Sequence, residues 1–315
     1  MKILILGGTR FIGKALAKSL ANNKSYTIDI FSRKKSALRK INKKFFGDLE
    51  NTLIKSNTEY DLIIDFISKK KSHIENITQN FNFKSYLYIS TIWVDKKSVY
   101  NKSNSYNFDK RYLSKVSKKY INYKIRIENL LKKKLKKKLK IIRLPVILSL
   151  KTPRIKYYFD RIFYTNNLIQ SYYFNKTYLF YSDLNSITCF FNNFLKNKNR
   201  YNKQVYYIFS GFISMPKFIG IISNFLKKKT CINLYSKFFL LKNYKQYLHE
   251  DPFINEYKIN FSKKNLIKIN SSIDIKSLIV ANIKKFRIKK KFQYPFIEKE
   301  ESFINKFIPN EKIIF

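Results

Sequence analysis

Tyrosine–lysine pairs spaced four residues apart are the features of this sequence best suited to acid–base chemistry. On a helix, this spacing places both side chains on one face, where the ammonium favours ionisation of a phenol whose ordinary pKa is near 10. The sequence contains three such pairs: Tyr106/Lys110, Tyr120/Lys124 and Tyr172/Lys176. Because the chain has 24 tyrosines and 55 lysines, about four pairs are expected by chance, and the spacing alone selects none of them.

A predicted amphipathic helix singles out the second pair. Tyr120–Leu139 has apolar residues at helical spacing and lysines on its other faces. The apolar stripe consists of Ile127, Leu131, Leu135 and Leu139. The helix leads directly into a predicted strand, Leu139–Leu148. The tyrosine that opens it therefore stands where a helix packs on a sheet.

The other two pairs lie in segments without such a helix. Tyr106 falls in a polar stretch, Lys96–Lys119, which we predict as a loop, and Tyr172 lies beyond the strand that follows the helix. The helix context therefore selects Tyr120 and Lys124 from the three pairs.

The first fourteen residues predict a site for a nucleotide. Lys2–Leu6 is a continuously apolar run typical of a strand buried on both faces, and Phe11–Leu20 has helical spacing. Between them, Gly7 provides a tight turn, and the free N–H groups of the helix can hold a pyrophosphate. Gly13 lets the helix pack closely on the strand. Three of the six glycines of the chain fall here, which strengthens a motif that alone is weak.

Further short apolar runs predict the remaining strands of a parallel sheet. They are Tyr26–Phe31, Phe45–Leu49, Tyr60–Ser68 and Tyr86–Ser90. Since ligands of open α/β sheets bind at the carboxyl ends of the strands, Ser68 and Thr91 are expected at the same edge as the glycine turn.

The string GGTRFIG, Gly7 to Gly13, resembles the extended branch of the short-chain dehydrogenase/reductase superfamily, which contains epimerase- and dehydratase-like proteins. Gly7, Arg10 and Gly13 occupy the three glycine positions of its GxxGxxG turn, and Arg10 replaces the middle glycine, as in an atypical subgroup. The match weakens along the chain and includes His249–Pro252 and Asn260–Lys264. The resemblance implies a cofactor-binding turn made of Gly7, Gly8, Thr9, Arg10, Phe11, Ile12 and Gly13.

The same resemblance implies the division of catalytic work. Tyr120 is the acid/base, Lys124 tunes it and grips the nicotinamide ribose, and Thr91 orients the substrate oxygen. Tyr120 follows Thr91 by 29 residues, within the usual range of the family. Glu128 stands where the family often has an acid. We expect an NAD(P)-dependent enzyme of the epimerase/dehydratase type.

The end of the second strand bears on the choice of cofactor. NAD-binding versions of this fold have an acidic residue there, which holds the ribose 2′-hydroxyl. This chain has Ser32 and Arg33 instead, and Arg33, helped by Arg10, suits a 2′-phosphate. The pattern favours NADP over NAD, although a solvated basic loop would look the same. The resemblance also places Asp48 and Leu49 beside the adenine.

The predicted fold class is α/β, a Rossmann-type doubly wound parallel sheet with a small C-terminal α/β substrate lobe. Residues 1–150 form the predicted NAD(P)-binding domain, with strands that return to the sheet within about 178–211, and residues 151–315 mainly form the substrate lobe. The predicted later elements are the strands Tyr178–Leu184 and Val205–Gly211 and the helix Met215–Leu226. No Gly/Ser linker separates the two parts, which predicts interleaved lobes.

The net charge of +45 is typical of a nucleic-acid-binding protein, but base composition explains it equally well. Lysine far outnumbers arginine, and lysine, Asn, Ile, Phe and Tyr all have A/T-rich codons. An A/T-rich bacterial or organellar genome is therefore a plausible source. The run Lys132–Lys140 fits nucleic acid or an anionic membrane, yet the solvated face of a packed helix is the simpler interpretation.

The cysteines, the histidines and the first residues bear on whether the protein has disulfides, binds a metal, is secreted or spans a membrane. Cys189 and Cys231 have apolar neighbours and predict buried thiols in a reducing compartment. His73 and His249 are too isolated for a zinc site, so no metal is expected. Because the sequence opens on a predicted strand, we expect no signal peptide, and the most apolar window is interrupted by Gly211, Pro216 and Lys217. We expect a protein of the cytoplasm or of the stroma of a plastid-like organelle.

Two functions remain open at this point. The first is an oxidoreductase, epimerase or dehydratase that acts on a small polar molecule, such as a nucleotide sugar. We expect such an enzyme to bind no membrane and no specific nucleic acid, and a homodimer is compatible with the sequence. The second is an RNA-binding or scaffold protein on a non-catalytic Rossmann fold. Plastid stem-loop RNA-binding relatives resemble the chain at GGTRFIG but lack the catalytic tyrosine, so Tyr120 with Lys124 favours the enzyme.

Overall fold

The structure is a computed structural model. It describes residues 1–34, 38–51, 56–94, 115–149, 152–171, 175, 178–236, 266–269, 276–277, 279–280, 297–307, 309 and 311–314. Tyr106, Lys110, Tyr172, Lys176, His249–Pro252 and Asn260–Lys264 lie outside these ranges.

Strands and helices alternate along most of the described chain. The strands are β1 (Lys2–Leu6), β2 (Thr27–Ser32), β3 (Lys43–Phe46), β4 (Ser56–Tyr60), β5 (Leu62–Asp65), β6 (Phe81–Phe83), β7 (Tyr86–Thr91), β8 (Leu139–Leu144), β9 (Val146–Ile147), β10 (Asn167–Ser171), β11 (Tyr178–Ser182), β12 (Val205–Phe209), β13 (Gly211–Ser214), β14 (Cys231–Tyr235), β15 (Leu266–Lys268) and β16 (Glu311–Ile314). The α-helices are α1 (Phe11–Ala21), α2 (Lys71–Asn80), α3 (Lys115–Leu135), α4 (Pro153–Tyr164), α5 (Leu184–Lys196), α6 (Met215–Leu226) and α7 (Ile297–Lys306).

Eight strands form the main sheet, in the order β3-β2-β1-β5-β7-β8-β12-β15. Every neighbouring pair in it is parallel. Counted within this sheet, the first six strands have the 3-2-1-4-5-6 order of a Rossmann fold, and the order reverses between β1 and β5. The predicted doubly wound α/β fold is therefore confirmed. Dinucleotides bind such sheets beyond the carboxyl ends of the strands at this reversal.

Both faces of the sheet are covered by helices, which explains the continuously apolar strands. Alternate side chains of β1 point to opposite faces. Ile3 and Ile5 belong to one buried cluster, with residues of α1 and α5, and Leu4 and Leu6 belong to another, with residues of α2 and α3. Helix α3, which carries the predicted tyrosine–lysine pair, thus packs on the second face, against β7 and β8.

A second hydrophobic cluster lies in the C-terminal half. It includes Tyr158 of α4, Phe218 of α6 and Leu234 of β14. Two small sheets frame this cluster, with strand orders β13-β11-β9 and β10-β14-β16. Val205–Phe209 joins the main sheet as predicted, but the expectation that Tyr178–Leu184 also returns there is wrong. Tyr178–Ser182 pairs with β9 and β13 instead, because these short strands continue from the ends of β8 and β12.

Several predicted boundaries move. The long helix spans Lys115–Leu135 rather than Tyr120–Leu139, so residues 115–119 are helical and not loop. Pro145 interrupts the predicted Leu139–Leu148 strand because proline has no N–H to donate to the ladder. The third strand is Lys43–Phe46, so that Asp48 and Leu49 follow it.

Cys189 is exposed, which corrects the prediction of a buried thiol, and Cys231 is half-buried; both are free. The exposure of Cys189 follows from its place on the outer side of α5, next to the buried Phe190. Across the residues that the structure describes, none of the helices has the length and apolarity needed to cross a membrane.

Candidate functional site

The glycine turn at the end of β1 brings helix α1 very close to the strand. Gly7 has φ of +92°, a conformation that favours glycine, and its N–H donates a hydrogen bond to the Phe31 carbonyl at 2.9 Å. A Cβ atom on Gly13 would lie 2.3 Å from the Gly7 carbonyl oxygen, and one on Gly7 would lie 2.5 Å from Cγ2 of Ile67. These close approaches require glycine at both positions.

The N-terminus of α1 is suited to an anion. The helix begins after Arg10, whose side chain makes no capping hydrogen bond, and its first turn has no acidic residue. The positive end of the helix dipole and the backbone donors therefore face the turn Gly7-Gly8-Thr9. Phe11 has φ of +43°, which non-glycine residues rarely adopt. Ile12 is half-buried behind it.

The end of β2 presents the residues predicted to choose the cofactor. Ser32 is buried, and its hydroxyl donates a hydrogen bond to the Lys34 carbonyl at 2.7 Å. The Arg33 side chain is 74% exposed, and its Nη1 lies 3.9 Å from Oδ2 of Asp48. Leu49 is buried next to this pair. The structure thus brings Arg33, Asp48 and Leu49 to one edge, beyond β2 and β3.

A buried carboxylate, which the sequence analysis did not select, shapes the chain after β5. Asp65 is inaccessible to solvent. It accepts hydrogen bonds from the N–H groups of Ile67 and Ser68, at 2.8 and 2.9 Å, and from the hydroxyl of Tyr86 at 2.6 Å. These bonds fix the backbone that faces Gly7 across the reversal of strand order.

Thr91 ends β7 at this same edge. It is buried, and its hydroxyl oxygen lies 3.5 Å from the backbone nitrogen of Trp93. The neighbouring Ser90 is also buried, and its hydroxyl has no hydrogen-bond partner within the described residues. Both residues thus lie at the end of β7, the position where the resemblance places the substrate oxygen.

Lys124 reaches from α3 onto β7. Its ammonium donates a hydrogen bond to the Ile89 carbonyl at 2.7 Å and lies 4.4 Å from the centre of the Tyr88 ring. Burial lowers the pKa of Lys124 to about 8, and the nearby charges of Asp65 and Glu128 oppose this change. A lysine with such a pKa is common at functional sites.

Tyr120 lies one helical turn before Lys124 on α3. Its side chain is 39% exposed, and its ring meets that of Tyr123 edge to face, with the ring centres 5.3 Å apart. Burial raises the pKa of Tyr123 well above its ordinary value. Tyr123 is therefore a packed neighbour, whereas Tyr120 is partly exposed.

A buried ion pair anchors the other end of this helix face. Glu128 accepts two hydrogen bonds from Arg143 of β8, at 3.0 Å from Nε and 2.6 Å from Nη2. Arg143 also donates to the hydroxyl of Tyr207 in β12. Glu128 was expected only from the resemblance, and Arg143 was not among the predicted site residues. The residue type could have indicated a role for Arg143, since a chain that mostly uses lysine has an arginine here, and arginine suits bidentate pairing.

The residues at this edge fit a dinucleotide. The start of α1, where Arg10 makes no capping hydrogen bond, suits a pyrophosphate, Gly13 allows the helix to lie directly against the turn, and Ser90 offers a buried hydroxyl group. Arg33 supplies an exposed cation at the far end. The tyrosine–lysine pairs Tyr106/Lys110 and Tyr172/Lys176 lie outside the described residues.

Solved structures of sugar-nucleotide epimerases and dehydratases have the same fold. A UDP-glucuronic acid 4-epimerase from Bacillus cereus, in complex with UDP-glucuronic acid and NAD, is 14% identical with a TM-score of 0.61, covering 91% of this chain and 100% of that chain. A dTDP-glucose 4,6-dehydratase from Bacillus anthracis, in complex with NAD, is 14% identical with a TM-score of 0.58, covering 91% and 97%. A UDP-glucose 4-epimerase from Thermotoga maritima, with UDP-glucose, is 10% identical with a TM-score of 0.58, covering 90% and 99%.

Comparison with protein-family models found no match, and neither did comparison with curated protein sequences. At these levels of identity the solved structures establish the architecture and leave the substrate open. The chain has the fold of these solved epimerases and dehydratases, and at the level of the fold alone this agrees with its resemblance to the extended short-chain dehydrogenase/reductase superfamily.

Proposed function

We propose that this protein is an NAD(P)-dependent enzyme that acts by hydride transfer on a sugar-nucleotide-like or other polar carbonyl or hydroxyl substrate. The reaction class is reduction, epimerisation or dehydration. The observation that carries the proposal is the buried ammonium of Lys124, held on β7 two residues before Thr91 and one helical turn from Tyr120. The solved epimerases and dehydratases of this fold, with NAD and nucleotide sugars bound, support it.

The proposed roles follow from the chemistry of each group. Tyr120 gives a proton to the substrate oxygen, or takes one from it. Of Tyr120 and Lys124, only the tyrosine is substantially exposed, and its phenol can act as an acid or, once ionised, as a base. Lys124 lowers the cost of the phenolate by its positive charge and holds the nicotinamide ribose. Thr91 orients the substrate oxygen. A bound nicotinamide supplies the hydride transfer.

For the cofactor we propose NADP in preference to NAD. The end of β2 has no carboxylate to hold a ribose 2′-hydroxyl, and Arg33 is free to turn towards a 2′-phosphate because its contact with Asp48 is exposed and long. Leu49 and Asp48 would line the adenine. The neighbours with NAD support a nicotinamide dinucleotide in general.

We also propose that residues 1–150, with β12 returning to their sheet, form the cofactor domain, and that residues 151–315 mainly form the substrate lobe. The separate cluster around Tyr158, Phe218 and Leu234 supports this division. Since β9 and β13 continue directly from β8 and β12, the two parts are interleaved.

The decisive experiment compares three conservative variants. Tyr120→Phe keeps the ring but removes the proposed proton carrier, so turnover should fall by about 10²–10⁴ while cofactor binding survives. Tyr106→Phe and Tyr172→Phe, the matched controls from the other two pairs, should stay near wild type. Activity is screened with UDP-glucose, UDP-glucuronic acid and dTDP-glucose, the sugar nucleotides named for the solved neighbours.

Two outcomes would contradict the assignment. If Tyr106→Phe abolishes turnover and Tyr120→Phe does not, the active-site helix is misplaced. If the protein binds a dinucleotide and none of the three tyrosines matters, the site is not catalytic, and the binding or scaffold function is favoured.

A further inference from the structure

The ring beneath Lys124 is a feature that the proposed roles do not use. Tyr88 lies in β7, fully buried, and its hydroxyl donates a hydrogen bond to the Ser68 carbonyl at 3.2 Å. With the hydroxyl directed there, the face of the ring meets Lys124, whose Nζ is 4.4 Å from the ring centre. The ring of Tyr123 lies on another side, 5.6 Å from the same Nζ.

We propose that Tyr88 is a positioning residue for Lys124, whose charged ammonium is held in place by the face of the Tyr88 ring together with the Ile89 carbonyl. This inference rests on the proposed function for its use in catalysis, but the contact itself does not depend on that function.

The need for such a contact follows from burial. An ammonium out of water must be compensated, or it loses its proton. Within the described residues, no carboxylate forms an ion pair with Lys124. Asp65 of β5 and Glu128 of α3 favour the charged form from a distance, and Lys69 disfavours it. The direct compensation therefore comes from one carbonyl and one or two aromatic faces.

The geometry suits a strong cation–π interaction. The separation is well inside the range of about 6 Å within which such contacts stabilise a cation, and they are strongest when both partners are desolvated. Burial raises the pKa of Tyr88 well above its ordinary value, so its ring stays neutral. The contact favours the charged lysine, and removing the ring face must lower the lysine pKa further.

The test separates the ring face from the hydroxyl. Tyr88→Phe keeps the face, Tyr88→Leu removes it, and Tyr88→Met is a second removal in case the leucine variant does not fold. Tyr60→Leu is the matched control, because Tyr60 is equally buried but its hydroxyl binds Asp29, away from Lys124. The lysine pKa is measured by NMR titration of protein labelled with ¹³C at lysine Cε, and the Lys124→Met variant assigns the signal.

We expect wild type, Tyr88→Phe and Tyr60→Leu to share one Lys124 pKa, and Tyr88→Leu and Tyr88→Met to lower it by about one pH unit. An unchanged pKa in both truncations, or an equal fall in Tyr88→Phe, would overturn the proposal. In an active enzyme, turnover that needs a charged lysine is lost as pH rises through its pKa, so this loss should move to lower pH by the same amount. If the Lys124 pKa falls in the truncations but the wild type shows no turnover, the positioning role of Tyr88 stands and the proposed enzymatic function is wrong.

Discussion

Glu128 and Arg143 form a bidentate ion pair between α3 and β8, with distances of 3.0 Å from Nε and 2.6 Å from Nη2. Both side chains are at least nine-tenths buried. Since Glu128 lies one helical turn after Lys124, the pair fixes the face of α3 that carries the proposed site. Planar guanidinium groups favour this two-point geometry, which sets orientation as well as distance.

The first prediction concerns this pair. Arg143→Met should lower the free energy of unfolding by about 3–5 kcal/mol, because the buried Glu128 carboxylate loses both of its guanidinium hydrogen bonds and keeps only the longer contact with Lys132, at 3.6 Å. The double variant Glu128→Leu/Arg143→Met should recover most of the loss, since no unpaired charge remains. Urea denaturation of the wild type, of Arg143→Met, of Glu128→Leu and of the double variant measures this. A double variant as unstable as the sum of its single changes would contradict this account.

The second prediction concerns the close approach at the turn. In Gly13→Ala the new Cβ would lie 2.3 Å from the Gly7 oxygen, so helix α1 must move away from the turn with which it is proposed to bind the pyrophosphate. Overpacking of this kind costs about 1–3 kcal/mol, and dinucleotide affinity, measured by NADPH fluorescence, should fall. Gly220→Ala in the middle of α6 is the matched control and should bind normally. If both variants bound NADPH with equal affinity, the turn would not be part of the cofactor site.

The sequence was sufficient for elements whose pattern is local. Strand β1 and helix α6 have the predicted bounds, because each has one clear hydrophobic period and clear ends. The parallel order followed from alternating apolar runs and helices. The sheet to which Tyr178–Ser182 belongs could not be predicted, since its apolar pattern suits any half-buried strand and its partners are distant in sequence.

The candidate site likewise has features that could be predicted from local sequence and features that could not. The glycine turn and the Tyr120/Lys124 spacing are local patterns and were visible. The contacts of Asp65 with Tyr86, and of Lys124 with Tyr88, join different strands and helices. Such contacts depend on strand register, which only the folded structure supplies.

The third prediction tests the proposed cofactor. Arg33→Ala should weaken NADPH binding by about 1.5–3 kcal/mol, the scale of a charged hydrogen bond, and should leave NADH binding nearly unchanged. The reason is that only NADPH has the 2′-phosphate that Arg33 is proposed to hold. Titration by cofactor fluorescence provides both affinities. Equal losses for the two cofactors would remove the NADP assignment.

The fourth prediction separates enzyme from RNA-binding protein. The exposed lysines at the end of α3 and directly after it, within 133–138, should bind RNA weakly, without sequence preference and with steep salt dependence. Replacement by glutamine of Lys133, Lys134, Lys136, Lys137 and Lys138 should reduce RNA affinity no more than the same change at five scattered exposed lysines. The scattered control set is Lys2, Lys18, Lys24, Lys43 and Lys217. Tight binding at physiological salt that only the first set abolishes would favour the RNA-binding alternative.

The last prediction follows from the burial of Lys124, whose pKa falls from 10.5 to about 8 on folding. Below pH 8 the folded protein carries the full cost of a buried ammonium. Lys124→Met removes that cost, and after loss of the bond to Ile89 we expect a net gain of about 2 kcal/mol in the free energy of unfolding at pH 7.

The sign of the pH dependence is fixed by the two pKa values. Between pH 8 and 10.5 the unfolded wild type binds more protons than the folded one, so wild-type stability rises with pH and the advantage of Lys124→Met disappears. Urea denaturation at pH 7, 9 and 10.5 measures this, with Lys133→Met, exposed on the same helix, as the control that shows no such trend. Turnover should be lost in the more stable variant, because the buried charge that destabilises the fold is the one that the proposed chemistry needs. A Lys124→Met protein that is less stable than wild type at pH 7 would show that the ammonium is not a net cost, and would contradict the lowered pKa.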